Sequence, residues 1–199
     1  AEIRQEMETT EGWENWFRHA GHDWNKVVLG KINSSAYRKY NGQTLGAIAR
    51  AANKDEWRVF WEILPNGAFA LPQSMTEANK IAAMREEFVS FCTDVGPAGG
   101  SRIASHPRGY GSFPRILSKY VRDHGVISLE KAIAKMSSVA ANQILVHDRG
   151  KLAEGLAADV VIFDYEGIND RATFAEPNAH SEGVKYVFVN GQLVFADGK

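Results

Sequence analysis

The sequence has little of what several common function classes require. It holds one cysteine in 199 residues. A disulfide framework or a cysteine-rich zinc module needs several, so both are excluded. Net charge is almost absent, with 23 Lys and Arg against 24 Asp and Glu. That excludes a nucleic-acid binder working through a broad basic surface, and equally an acidic solvating tail. Long apolar runs are missing as well. Val160 to Phe163 is typical of those present, and a membrane helix needs about 20 such residues. The opening Ala1-Glu2-Ile3-Arg4-Gln5-Glu6 has no apolar stretch of the signal-peptide kind. It also has no initiator methionine, and Lys199 comes directly after a hairpin, so both ends read as cut. There is no Walker A pattern and no Gly-x-Ser-x-Gly elbow. Gly109-Tyr110-Gly111 runs into Ser112-Phe113-Pro114, which is no dinucleotide fingerprint. Neither nucleic acid nor membrane is expected as a partner.

What is present is ordinary globular composition, 44% hydrophobic and 24% charged. The length is enough for one large domain, or for one and a half smaller ones. Residues 1–20 read as an amphipathic helix ending near Gly21. His19 and His22 stand three apart on it, at metal-ligand spacing, but no His-Glu-x-x-His pattern surrounds them. Val27 to Leu29 is a short strand. Gln43 to Ala52 is a helix, and Asp55 caps another running to Leu64. Trp57, Phe60, Trp61 and Leu64 fall at helical spacing, as a core stripe does. Ala68 to Leu71 is a weak strand. Ser74-Met75-Thr76-Glu77 is a capping-box pattern opening a helix to about Glu87.

Phe88 to Thr93 reads as a buried strand ending in Asp94, followed by a glycine-rich loop from Val95 to Ser112. Phe113 to His124 is a helix stopped by Gly125. Ser128 caps Leu129 to Met136, and Ser138 caps one more short helix. After Asp148 the period changes to that of strands. Asp159 to Asp164 is one, and Val184 to Val189 and Gln192 to Phe195 are two more, joined by the hairpin signal Asn190-Gly191. The domain boundary is placed near Asp148, giving segments 1–147 and 148–199.

Chemistry concentrates around Asp94. A carboxylate at the C-terminal end of a buried strand stands where α/β folds place their sites. It would serve there as a metal ligand or as a general base taking a proton from water. The competing reading is a carboxylate that bonds backbone N–H groups and so caps the loop. Cys92 shares its side of the strand and reads as a small core residue. In the loop, Arg108 has the fork to clamp a carboxylate. His106 fits a proton carrier or a partner that orients another group. Both also suit a rigid connector that satisfies backbone carbonyls. His124, His147 and His180 stand in unremarkable positions.

Thr93-Asp94-Val95-Gly96, followed by His106-Pro107-Arg108-Gly109-Tyr110-Gly111-Ser112-Phe113-Pro114-Arg115, resembles the N-acyl-D-amino-acid deacylases (D-aminoacylases) of the amidohydrolase superfamily. Gly125 to Ile133 and Lys135 to Ser138 are similar to that family's helices after its last barrel strand. Asp148 to Leu152, Ala158 to Asp164, Asp170 to Phe174 and Val189-Asn190-Gly191 are similar to its return into a β-domain. The likeness is dense from residue 88 onward and looser from 24 to 87, where Lys39 to Leu45 still fits.

The resemblance implies an α/β fold. Residues 1–147 would be the C-terminal portion of a metal-dependent (β/α)8 TIM barrel, and 148–199 part of a small β-sandwich. It implies hydrolysis of the amide in an N-acylated D-amino acid by a zinc-activated water. Asp94 matches the strand-8 Asp, both metal ligand and general base. Arg108 and Tyr110 match residues near the site and, with His106, are expected to touch the substrate. The other zinc ligands, a His-x-His pair, a Cys or modified Lys and two further His, would lie upstream of Ala1. Cys92 is on the wrong strand to be that Cys. This segment alone is therefore expected to be inactive and to need the N-terminal half of the barrel. Many members have Ser-Asp-Gly where this chain has Thr93-Asp94-Val95-Gly96, which leaves acyl and side-chain preference open. The alternatives are another amidohydrolase, acting on cyclic amides or dipeptides, or a non-catalytic binding or structural remnant of the barrel. The compartment, cytoplasmic or periplasmic, is open.

Overall fold

Apolar residues gather into two separate cores, and each core has its own set of capped helices and antiparallel strands. The computed structural model describes residues 2–9, 11–12, 14–95 and 106–197. The described residues fall into two compact units. The first holds the chain up to Glu77, with His106 and Thr173–Pro177; the second holds the rest.

In the first unit the helix expected over residues 1–20 is in two pieces, α1 (Glu2–Glu8) and α2 (Trp16–His19). Gly12, at φ +84°, takes the left-handed conformation that only glycine adopts cheaply. Asn15 then starts α2 afresh, its side-chain oxygen accepting from the Arg18 N–H at 2.8 Å. His22 therefore lies beyond the helix, at φ +56°, with its ring edge-on to Phe17. The His19–His22 spacing does not form a pair of ligands on one helix face. β1 (Val27–Ile32) runs antiparallel to β2 (Ala68–Pro72), Val28 opposite Leu71 and Leu29 opposite Ala70.

Two short helices pack beside this pair. Thr44 caps α3 (Leu45–Ala52) by accepting from Ala47 N–H, and Asp55 caps α4 (Glu56–Ile63) by accepting from Arg58 N–H. The aromatic stripe is core on its inner side only. Trp57 is buried against Phe17 and Trp24, while Leu64 is half in solvent.

The second unit begins with α5 (Glu77–Arg85), which starts two residues later than a cap at Ser74 would place it and ends two residues before Glu87. Next comes α6 (Arg108–Arg115), which continues into a π-helical stretch, Ile116–Asp123, whose Ile116, Leu117, Tyr120 and Val121 are buried. Gly125, at φ +56°, ends it. Ser128 caps α7 (Leu129–Met136) through the Lys131 N–H, and α8 (Ser138–Gln143) follows. The N-cap of α8 is Ser137 rather than Ser138, and its side chain makes no capping bond.

β3 (Val160–Phe163), β4 (Val184–Val189) and β5 (Gln192–Ala196) form an antiparallel sheet in that order. Asn190 at φ +50° and Gly191 at φ +77° make the turn between β4 and β5, as a type I′ hairpin demands. Ile116, Leu117, Tyr120, Val121, Ala132 and Ile168 form the core of this unit.

The strand expected from Phe88 to Thr93 does not form: residues 88–95 carry no strand pairing. An extended segment is stable only where neighbouring strands take its N–H and C=O groups. No described strand lies beside it, and side chains of α7 and α8 take those groups instead. Its side chains are not buried as a core strand's would be: Phe88 is 74% exposed, while Val89, Ser90, Phe91 and Thr93 are half-buried. Cys92 is exposed too, not a core residue. No helix among the described residues is long and apolar enough to cross a membrane.

Candidate functional site

The site is built where the 86–95 segment meets the start of α6. Asp94 is the last but one residue described before Gly96; of the loop expected from Val95 to Ser112, residues 96–105 lie outside the described residues, and from Arg108 on the chain is helix, not loop. Asp94 adopts φ +49°, a left-handed conformation that Asp tolerates better than most side chains. Its N–H donates to Cys92 Sγ at 3.2 Å. Its carboxylate is 83% exposed and meets one guanidinium: Arg108 Nη2 is 3.0 Å from Oδ2. The same Nη2 donates to the Asp94 carbonyl oxygen at 2.8 Å. Arg108 thus holds both the backbone and the side chain of Asp94.

Arg108 is the first residue of α6, and α6 is fixed by an irregularity in its own sequence. Pro114 has no N–H, so the carbonyl of Tyr110, four residues earlier, loses its helical donor. Ser181 Oγ donates to that carbonyl at 2.7 Å. Gly111 sits against Asp170 and Ala172, where a Cβ would be 3.3 Å from the Cβ of Asp170. Arg115 closes the arrangement, its Nε and Nη2 both donating to Asp170 Oδ2, at 2.8 and 2.6 Å. The Asp170 side chain is only 11% exposed. The Tyr110 ring is 5.2 Å from that of His180.

Of the four residues singled out from the sequence, Asp94 and Arg108 are in direct contact. Tyr110 stands two residues on from Arg108 in the same helix, so the two side chains leave it on different faces. His106 belongs to the first unit, its ring edge-on to Phe174 at 5.4 Å. Sequence reasoning passed over His180, Ser181, Asp170 and Arg115 as site-shaping residues. Pro114 inside a helix was the available signal, because the carbonyl it releases must find a donor elsewhere.

The arrangement offers a solvated carboxylate able to accept a proton, next to a guanidinium able to hold an anion. It does not offer a complete metal site. Among the described residues no group of three His, Cys, Asp or Glu side chains is placed to hold a metal ion. A catalytic zinc needs three protein ligands, and Asp94 is already engaged by Arg108, so the residues present do not fit such an ion on their own.

The model of the amidohydrolase family matches residues 41–195. The chain belongs to the amidohydrolase family. Within it, an N-acyl-D-glutamate deacylase of Alcaligenes xylosoxydans xylosoxydans is 37% identical over 163 residues, covering 81% of this chain and 32% of that protein. A D-aminoacylase of the same organism is 32% identical over 162 residues, with the same two coverages. Among solved structures, the N-acyl-D-glutamate deacylase of Bordetella bronchiseptica, held with zinc and a phosphonate mimic of the tetrahedral intermediate, superposes at TM-score 0.71 and 29% identity. That superposition covers 89% of this chain and 36% of the other. The chain spans about a third of the length of the curated relatives it matches. The mixed helix and strand content is that of the amidohydrolase fold shared with these neighbours.

Proposed function

We propose that the protein to which this chain contributes hydrolyses the amide bond of N-acyl-D-amino acids, releasing a carboxylic acid and a free D-amino acid. Residues 1–147 would be the C-terminal part of its (β/α)8 barrel, and 148–199 part of its β-sandwich. The pairing of Asp94 with Arg108 carries the reading. It places a carboxylate and a guanidinium in contact, in a stretch aligned with deacylases of N-acylated D-amino acids.

Asp94 is the general base. It takes the proton from the attacking water and returns it to the departing amine nitrogen. Arg108 releases Asp94 to bind the substrate carboxylate through its guanidinium fork, with Tyr110 alongside. His106 is assigned to the substrate side as well. Zinc, which the Bordetella relative holds, is the expected cofactor. Asp94 would be one of its ligands, and the remaining ones would come from the part of the protein outside this third.

The test uses the complete enzyme containing this segment, assayed for amino acid released from N-acetyl-D-glutamate and its L enantiomer. The D form should be cleaved and the L form left. Asp94→Asn should lower kcat by about 10²- to 10⁴-fold, with zinc content unchanged. A variant within a factor of about three of the parent would remove Asp94 as the base, since a positioned base contributes far more than that. Failure of the parent to cleave the D form would remove the deacylase reading itself.

A further inference from the structure

Arg108 opens α6, yet α6 is a poor helix by its own sequence. Its eight residues include Gly109, Gly111 and Pro114, and glycine and proline are the weakest helix formers. Pro107 before it offers no side-chain cap. Past Arg115 the chain leaves α-helical geometry for the π-helical stretch. Little inside the helix therefore fixes where Arg108 stands, and such a helix is held by what packs on it.

What packs on α6 comes from residues 148–199. Asn169 and Glu182 bridge each other there through both backbone N–H groups, at 3.2 and 2.9 Å. The bridge makes neighbours of Asp170 and Ser181, one on each arm of a short stem, and both reach α6. Ser181 Oγ supplies the Tyr110 carbonyl, 71 residues away in the chain, with the donor that Pro114 withholds. Asp170 takes both Arg115 bonds on one oxygen. Two attachments, at Tyr110 and at Arg115, fix a short rod in place and in rotation about its axis. Farther along, Arg122 Nη1 donates to the carbonyl oxygens of Tyr165, Glu166 and Ile168 at 3.1, 3.2 and 2.8 Å, which ties down the base of the same stem. Both partners of every one of these contacts belong to this chain, so none depends on the part of the enzyme beyond it.

We propose that Ser181 and Asp170 are positioning residues for Arg108: through them the C-terminal segment sets where the guanidinium stands, and so how tightly the substrate carboxylate is held. This rests on the reading of Arg108 as the group that binds that carboxylate. Neither Ser181 nor Asp170 touches the substrate. They act through α6, so they govern the binding of the substrate and not the proton transfer at Asp94.

The test is a double-mutant cycle in the complete enzyme, read with N-acetyl-D-glutamate. Ser181→Ala should raise KM about three- to tenfold, the worth of one hydrogen bond, with kcat within about twofold. Ser181→Thr keeps the hydroxyl and should bring KM back to within about twofold of the parent. Asp170→Asn leaves Arg115 a neutral partner; it should shift KM the same way, and it carries the test should Ser181→Ala fail to fold. In an Arg108→Ala background the Ser181→Ala effect should vanish, because the group it positions is gone. A general loosening of the fold would instead add in full to the Arg108→Ala loss. KM unchanged in both Ser181→Ala and Asp170→Asn, or an increment of the same size with and without Arg108, would overturn the proposal. Amide hydrogen exchange over residues 108–115 reads the hold on α6 without substrate, and should quicken about tenfold in Ser181→Ala. An inert parent enzyme would count against the deacylase reading, with exchange still deciding the hold: unchanged rates in both variants would overturn it.

Discussion

One guanidinium nitrogen joins Arg108 to Asp94, reaching both its carbonyl oxygen and its carboxylate. The pair is largely in water, the carboxylate at 83% and the arginine at 39% exposure, so it adds little to stability, about 0–1 kcal/mol for exposed pairs. A structural and a functional arginine are therefore separable. Arg108→Ala in the complete enzyme should move the urea midpoint hardly at all, while kcat/KM falls by about tenfold or more as a charged contact to the substrate is lost. A shifted melting temperature with intact kinetics would make Arg108 a connector. At this scale the sequence was informative about which residues carry chemistry, and silent on their contact and on how they are held. Asp94 and Arg108 were both visible as candidates. Asp170 and Ser181 were not, because their work is done on main-chain atoms or on other side chains, and composition does not record that.

Helices and turns were legible wherever a local rule decides them. Asp55, Ser128 and Gly125 end or begin helices where their chemistry places them, and Asn190-Gly191 turns the β4–β5 hairpin. The 88–93 segment was not legible, because an apolar run states that a segment suits burial but not who its neighbours are. The α3–α4 junction carries a second feature of this scale. Glu62 on α4 accepts from Lys54 at 2.6 Å and from Arg58 at 3.1 Å, and Tyr37 also donates to it. Lys54, then Tyr37, then Arg58 hold its carboxyl down from 4.5 to about 2. A carboxylate whose folded value is depressed gives stability that is present above its unfolded value and lost as the pH falls through the folded one. The difference between the parent chain and Glu62→Gln should then be full above about pH 5 and shrink steadily toward about pH 2. Urea midpoints measured across that range provide the check; a gap that stays constant with pH would mean that Glu62 acts by packing and not by charge.

At the scale of the whole molecule, the chain carries the amidohydrolase pattern over 41–195 yet spans only about a third of its relatives. The family was legible because the motifs between Thr93 and Gly191 are dense, and the mixed helix and strand content because local signals decide it, whereas the strand expected before Asp94 did not form. A metal centre is a property of a different kind, since its ligands converge from distant parts of a chain. The described residues bring one carboxylate, and that carboxylate faces an arginine. Zinc titrated into the 199-residue chain at neutral pH should therefore bind no more tightly than about 10 µM, against the far stronger binding that three or four converging ligands give. Asp94→Asn should leave that weak binding almost unchanged, because a single oxygen ligand contributes little of it. Competition with a chromophoric chelator reads both quantities. Submicromolar, Asp94-dependent binding by this chain would mean that it assembles a metal site without the rest of a barrel, and the division of labour proposed between this third and the remainder of the enzyme would have to be abandoned.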